Sequence, residues 1–371
     1  MPAIPTPPQD PIRADLPSWV NGVARSFALS LRVLPHEIRW PVGLAYLLAR
    51  ASDAVADSVT GHKGWSERLL ALDELGLAIQ NSAQGPGAKD TACAAIAPLI
   101  GSVPDPRERA LLLALPELLQ GLSTLAATDR TLIATVCQHI VSGQRLDLIR
   151  FAPVRQGIRA LTHSAELADY TWRVAGCVGH FWTRMCESRL PGWRLADLEV
   201  MLQAGSDYGM ALQRLNILRD TAADLSLGRC YWPLEELQTI GWSPEQFTHA
   251  VQQGDATAMA PLHTLMSSWI DQTRRGLCLG LAYSRAIGPW RLRWASALPA
   301  LIGLKTLQVI EASGTMALHR PVKVNRTWVR RLLWRLVLGG GTSNGLGRLG
   351  LDLGAPDAGS LTLVSGGTIG A

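Results

Sequence analysis

None of the six cysteines (Cys93, Cys137, Cys177, Cys186, Cys230, Cys278) forms a C-x-x-C pair or any metal-ligand spacing. They read as reduced thiols, mostly core filler, in a cytoplasmic protein. No apolar run reaches the ~18–20 residues of a membrane-spanning helix, and no secretory signal pattern is present. Charged residues are sparse, 18% against 47% hydrophobic, so the 371 residues can bury a large core as one large α domain or two small ones. Acid is missing altogether from residues 312–351, which hold Arg320, Lys323, Arg326, Arg330, Arg331, Arg335 and Arg348. With a net charge of +5, those seven leave the rest of the chain near −2. That uneven balance argues against a general nucleic-acid binder and for one basic C-terminal face.

What is present is organised around residues 209–233, GMALQRLNILRDTAADLSLGRCYWP. Read as a helix, this places Gln213, Asn216, Asp220 and Asp224 on one continuous face, with the other faces mostly Leu, Ile, Ala and Met. A narrow stripe of amides and carboxylates on an otherwise apolar helix suits the lining of a wet internal cavity. Two aspartates one turn apart can hold Mg²⁺, which takes a few carboxylates together with water and phosphate oxygens. The helix is expected to stop near Leu227-Gly228, with Pro233 marking the turn beyond.

A second stripe lies upstream in RWPVGLAYLLARASDAVADS, residues 39–58, where Tyr46, Arg50, Asp53 and Asp57 share a face. Pro41 belongs in a first turn, which predicts a helix start near Trp40. Taken alone, this stripe reads as an exposed face with an Arg50–Asp53 pair worth a few tenths of a kcal/mol. Two such helices make that reading unattractive.

Q-x-x-N-I-L-R-D-x-x-x-D followed by G-R-x-Y-x-P resembles the second aspartate motif of the squalene/phytoene synthase family, the head-to-head prenyl transferases. Y-x-x-x-R-x-x-D-x-x-x-D resembles its first. Further matches occur in family order. ARSF resembles a Ser-Arg-Ser-Phe signature, with Ala24 replacing the first Ser and Arg25, Ser26 and Phe27 retained. GQRLDL resembles a helix written G-M-x-x-D-L, in which Asp147 either faces the cavity or is a surface charge. Y-x-x-x-V-A-G-x-V-G carries Tyr170, and V-K-V resembles a short segment around Lys323. Gly176 and Gly179 each cost roughly 1 kcal/mol inside a helix, so a ligand or another helix is expected to approach their backbone.

The resemblance covers residues 18–330 and implies an all-α, single-domain isoprenoid-synthase fold around a central cavity. Residues 1–17, with six prolines and little periodicity, read as a disordered lead-in and the Gly/Ser-rich residues 339–371 as a flexible tail, which leaves the catalytic domain at 18–338. The resemblance further implies that Asp53, Asp57, Asp220 and Asp224 hold Mg²⁺, and that Phe27, Tyr46, Arg50, Tyr170 and Gln213 are catalytic. Arg25, Ser26, Arg50, Asn216, Arg219, Arg229 and Tyr231 would bind prenyl diphosphate, and Lys323 and Arg326 the phosphates of NADPH. An aromatic face such as that of Tyr170 stabilises a carbocation.

The reaction so implied is condensation of two farnesyl diphosphates through presqualene diphosphate to squalene. Phytoene, dehydrosqualene and hydroxysqualene are alternative products, and the Y-W-P and V-K-V segments favour squalene. A non-catalytic, membrane-associated helical assembly factor is the alternative of another class, and it would be expected to have lost these acids. Head-to-tail elongating synthases want D-D-x-x-D motifs, which are absent here. Residues 327–338 read as an amphipathic helix, with Arg331 and Arg335 opposite Leu332, Leu333, Leu336 and Val337, that docks on its own domain or lies on an anionic membrane. The expected location is cytoplasmic, with peripheral contact at the inner membrane face, and the oligomeric state is left open.

Overall fold

The computed structural model describes residues 27–58, 64–85, 90–152 and 157–355, together with Leu16, Trp19 and Leu363. The described chain is all-α apart from one pair of two-residue strands. It divides into two compact units, residues 1–59 with 63–141, and residues 60–62 with 142–371.

The first unit holds α1 (Phe27–Val33), α2 (His36–Ala56), α3 (Trp65–Gln84), α4 (Asp90–Ile100), α5 (Pro106–Leu113), α6 (Leu115–Ser123) and the start of α7 (Ala127–Arg150). α2 packs against α3, α5 and α6. Leu44, Leu47, Leu48 and Ala51 are buried, as are Leu72, Leu75 and Ile79 of α3. α2 begins at His36, one turn earlier than Pro41 suggested. The backbone N–H groups of Ile38 and Arg39 donate to the Pro35 carbonyl, and the Arg39 guanidinium donates to the Leu34 carbonyl at 2.7 Å. Those bonds secure the added turn, so Pro41 forgoes only one ladder bond. Leu16, within the stretch read as a loose lead-in, is buried with its side chain over Gly43, where a Cβ would collide with it.

The second unit continues α7 and adds β1 (Arg159–Ala160), α8 (Ser164–Thr171), a π-helical turn (Trp172–Gly176), α9 (Cys177–Arg189), α10 (Leu198–Ser226) and β2 (Arg229–Cys230). Then follow α11 (Leu234–Gln238), α12 (Pro244–Gln253), α13 (Leu262–Arg285), α14 (Trp290–Ser313), α15 (Met316–His319), α16 (Arg326–Arg335), a second π-helical turn (Leu336–Gly340) and α17 (Ser343–Leu351). α10 is its axis, packed by α9, α13, α14 and α15. Asp197 caps the start of α10 by accepting from the N–H groups of Glu199 and Val200, a strong N-terminal signal. The helix ends at Ser226 with Leu227 as its C-cap, where its sequence suggested, and Gly228 follows at φ +78°.

The Gly176 and Gly179 positions are explained by a helix. A Cβ at Gly179 would run into the backbone carbonyl of Gly205, and one at Gly209 into that of Ala175. α9 and the π turn therefore meet α10 backbone to backbone, and only glycine permits that approach.

The stretch read as a flexible tail holds α17. Thr342 caps it by accepting from the Gly345 N–H, and Leu346 and Leu349 are buried in the second unit's core. Leu346, Leu349 and, just past the helix, Leu353 lie at helical spacing and outweigh the glycines between them once α13 offers a surface to cover.

Candidate functional site

In the first unit the predicted stripe is real. Tyr46, Arg50 and Asp53 are half-buried and Asp57 is exposed, while almost every other residue from Pro41 to Ala56 is buried. Arg50 bonds Asp53 at 3.4 Å and also pairs with Glu108 at the start of α5. Burial pulls the Arg50 pKa down, but Asp53 and Glu108 outweigh it and hold the guanidinium above its ordinary value. Burial pushes the Tyr46 phenol up to about 12. The end of α2, just before Asp57, is held by Arg68 of α3, whose side chain donates to the Ala56 and Gly64 carbonyls at 3.0 and 3.3 Å. Neither Glu108 nor Arg68 was singled out from the sequence.

The second unit presents the other stripe on α10. Gln213, Asn216, Arg219, Asp220 and Asp224 are all half-buried on a helix whose remaining faces are largely core. Asn216 donates to Gln213 at 3.3 Å. Arg219 grips its neighbour Asp220 with two bonds, Nε to Oδ1 at 2.8 Å and Nη2 to Oδ2 at 2.6 Å, and that bond raises the Arg219 pKa.

Beyond α10, β2 pairs in parallel with β1, in register Arg159 with Arg229 and Ala160 with Cys230. This short ladder fixes GRCYWP, and successive side chains there point opposite ways. Trp232 goes into the core, stacked on Trp269 at 4.2 Å between ring centres. Tyr231 goes the other way and stacks on Tyr170 at 5.0 Å and 24°, with Phe151 edge-on at 5.0 Å. The Tyr231 hydroxyl donates to Asp147, 2.9 Å from each carboxylate oxygen, and Arg229 stands 3.6 Å from the same group. Asp147 thus faces inward. Burial first, then the charges of Asp147 and Asp224, raise the Tyr170 phenol well above its ordinary value. Burial and Asp147 do the same to Tyr231. Tyr170, Arg229, Tyr231, Asp147 and Asp224 therefore form one neighbourhood. Tyr170 also sits two residues before the start of the π-helical turn, a local widening of the helix often found at functional sites.

Arg25 and Ser26 lie outside the described residues, and Phe27 opens α1. Lys323 and Arg326 are exposed, on either side of Asn325, whose side chain caps α16. Their exposed cations suit a phosphate group.

Among the described residues, no group of three or more His, Cys, Asp or Glu side chains converges on a metal-sized gap. Each stripe instead offers two carboxylates one turn apart. That donor set fits Mg²⁺, which binds through one or two carboxylates and fills its octahedron with water and substrate phosphate oxygens.

The squalene/phytoene synthase family profile matches residues 20–328. The squalene synthase of Yarrowia lipolytica is 27% identical over 212 residues, 57% of this chain and 43% of the relative. The 15-cis-phytoene synthase of Synechocystis is 32% identical over 119 residues, 31% of this chain and 33% of the relative. The chain thus spans less than half the length of these curated relatives. A solved structure of TcSQS with a bound ligand superposes with a TM-score of 0.72 at 22% identity, covering 94% of this chain and 92% of that one. At that identity the likeness speaks for the fold.

Proposed function

Because the chain belongs to the squalene/phytoene synthase family, we propose that it is a prenyltransferase joining two farnesyl diphosphates head to head, with squalene as product. The observation that carries this is the pair of carboxylate stripes. Asp53 with Asp57, and Asp220 with Asp224, would hold Mg²⁺, and each stripe has an arginine beside it, Arg50 or Arg219. Mg²⁺ when bound supplies charge stabilisation for the departing diphosphate.

The residues of the chain do the rest. Arg50, Arg219 and Arg229, with Asn216 and, where the family signature matches, Arg25 and Ser26, would bind and orient diphosphate and neutralise the charge that develops on its leaving oxygen. Ionisation of one substrate gives an allylic cation. The double bond of the second attacks it, and loss of a proton closes a cyclopropane, releasing one diphosphate. Tyr170 and Tyr46 present phenols that burial keeps protonated, and the ring face of Tyr170 stabilises the passing cation. A second ionisation releases the other diphosphate, and a bound NADPH would supply the hydride that completes squalene. Lys323 and Arg326 would bind phosphate groups of NADPH, the hydride source, and Gln213, with Phe27 where the family signature matches, would take part in binding substrate.

The test is purified protein with farnesyl diphosphate and Mg²⁺, with and without NADPH, followed by hydrocarbon extraction. Squalene that requires NADPH supports the reading. C30 product that ignores NADPH moves the chain to a dehydrosqualene or hydroxysqualene outcome, and turnover of geranylgeranyl diphosphate alone moves it to phytoene. No diphosphate release from any substrate would leave the helical assembly factor.

Contact with an anionic membrane, where greasy substrates and product reside, is part of the same proposal. No helix among the described residues is long and apolar enough to cross a membrane. Leu332 and Leu336 of the amphipathic segment are buried in their own unit, so they are not the contact surface. Trp334, Val337 and Leu338 are the exposed ones, at 67%, 57% and 81%, with Arg330 and Arg331 exposed on the same helix. An aromatic and aliphatic edge beside basic residues suits an interface with anionic lipid.

A further inference from the structure

Beside the α10 stripe but not part of it, one buried carboxylate ties together three separate parts of the second unit. Asp147, on α7, is only 7% exposed. It accepts from the Tyr231 hydroxyl at 2.9 Å to both oxygens and has the Arg229 guanidinium at 3.6 Å. Tyr231 is itself buried, and its ring lies flat against Tyr170 of α8. The two partners of Asp147 flank Cys230, whose position the β1–β2 ladder fixes.

We infer that Asp147 is a positioning residue for the coupling reaction, holding Tyr231 and Arg229 so that the Tyr170 ring and the Arg229 cation keep fixed places. This rests on the prenyl-coupling reading above. A ring stabilises a cation only at a set distance and tilt, and Tyr170 stands near the end of α8, two residues before the backbone passes from the α to the π pattern. Its buttress is the Tyr231 ring, and two hydrogen-bond distances to one carboxylate fix that ring's far end. The same carboxylate counters Arg229, so the guanidinium is anchored before any diphosphate arrives. Asp147 need not touch substrate in this role. It acts through its two partners.

The experiment compares the parent with Asp147→Asn, Tyr231→Phe and the double variant, measuring diphosphate release from farnesyl diphosphate with Mg²⁺, C30 product distribution and thermal midpoint. Assays run at a temperature where every variant is folded. Each single substitution is expected to lower kcat about 10-fold with KM within about twofold, a loss in the range that small misplacements of reacting groups produce. The double variant should lose no more than the worse single one, because both changes break the same link. A shift of product towards rearranged C30 species should accompany the loss. If Asp147→Asn does not fold, Tyr231→Phe, which keeps the ring and deletes only the hydroxyl, carries the same comparison. An active parent whose variants keep parental kcat and products while losing only thermal stability would overturn the inference and leave the coupling reading standing, as would losses that multiply to about 100-fold in the double variant. A parent that releases no diphosphate overturns the coupling reading, and the inference with it.

Discussion

Arg50 binds two carboxylates with one guanidinium: Asp53, three residues on, and Glu108, 58 residues on in the chain. The Glu108 side chain is only 15% exposed, so removing its partner leaves a mostly buried charge unpaired. Arg50→Gln is expected to lower stability by about 1–3 kcal/mol, the cost of an unsatisfied buried group, and to raise the KM for farnesyl diphosphate about 10-fold. Adding Glu108→Gln should restore most of the stability and none of the KM. Urea denaturation and steady-state kinetics on the two variants separate these effects. Recovery of both by the second substitution would remove Arg50 from substrate binding.

Asp53→Asn and Asp220→Asn are each expected to keep the helical circular-dichroism spectrum and to lower turnover by about 10²-fold or more, the scale of losing one electrostatic stabiliser of developing charge. Chelating Mg²⁺ should abolish diphosphate release in the parent, and added Mg²⁺ should restore it. Near-normal release from both variants would sink the metal assignment.

All five tyrosines resist ionisation. Burial lifts Tyr46 to about 12 and holds Tyr170, Tyr208, Tyr231 and Tyr283 above their ordinary value as well. A folded pKa raised above the unfolded value near 10 means that the native state holds the proton more tightly. That contribution to stability is fully present below about pH 10 and is lost as pH rises through the folded pKa, near 12 for Tyr46. Tyrosinate absorbance is therefore expected to appear together with loss of helix in an alkaline titration. Ionisation of several tyrosines near pH 10 with the helical signal intact would contradict the enclosure described for them.

Flotation with anionic liposomes is expected to recover the protein, and to weaken as salt screens the basic residues. Trp334→Ser with Leu338→Ser should reduce binding most, and Arg330→Glu with Arg331→Glu should remove its salt dependence. Parental binding by the Trp334/Leu338 variant would show that this exposed edge is not the contact. So would the absence of any binding by the parent.

Much of this molecule was legible in one dimension. The stripes of α2 and α10 follow from helical period alone, because four polar residues on one face of an apolar helix have few other uses. The motif order carried the family, and Gly228 marks the end of α10 by local chemistry. Contacts across long stretches of chain were not legible. Glu108 meets Arg50 and Tyr231 meets Asp147 over separations of 58 and 84 residues, and no local pattern shows that either pair meets. Nor could sequence decide what approaches Gly179, whether Leu346 and Leu349 find a surface to cover, or which leucines of residues 327–338 remain outside. Period and capping are properties of a segment by itself. Burial and pairing belong to a segment together with the neighbours that only the folded chain brings to it.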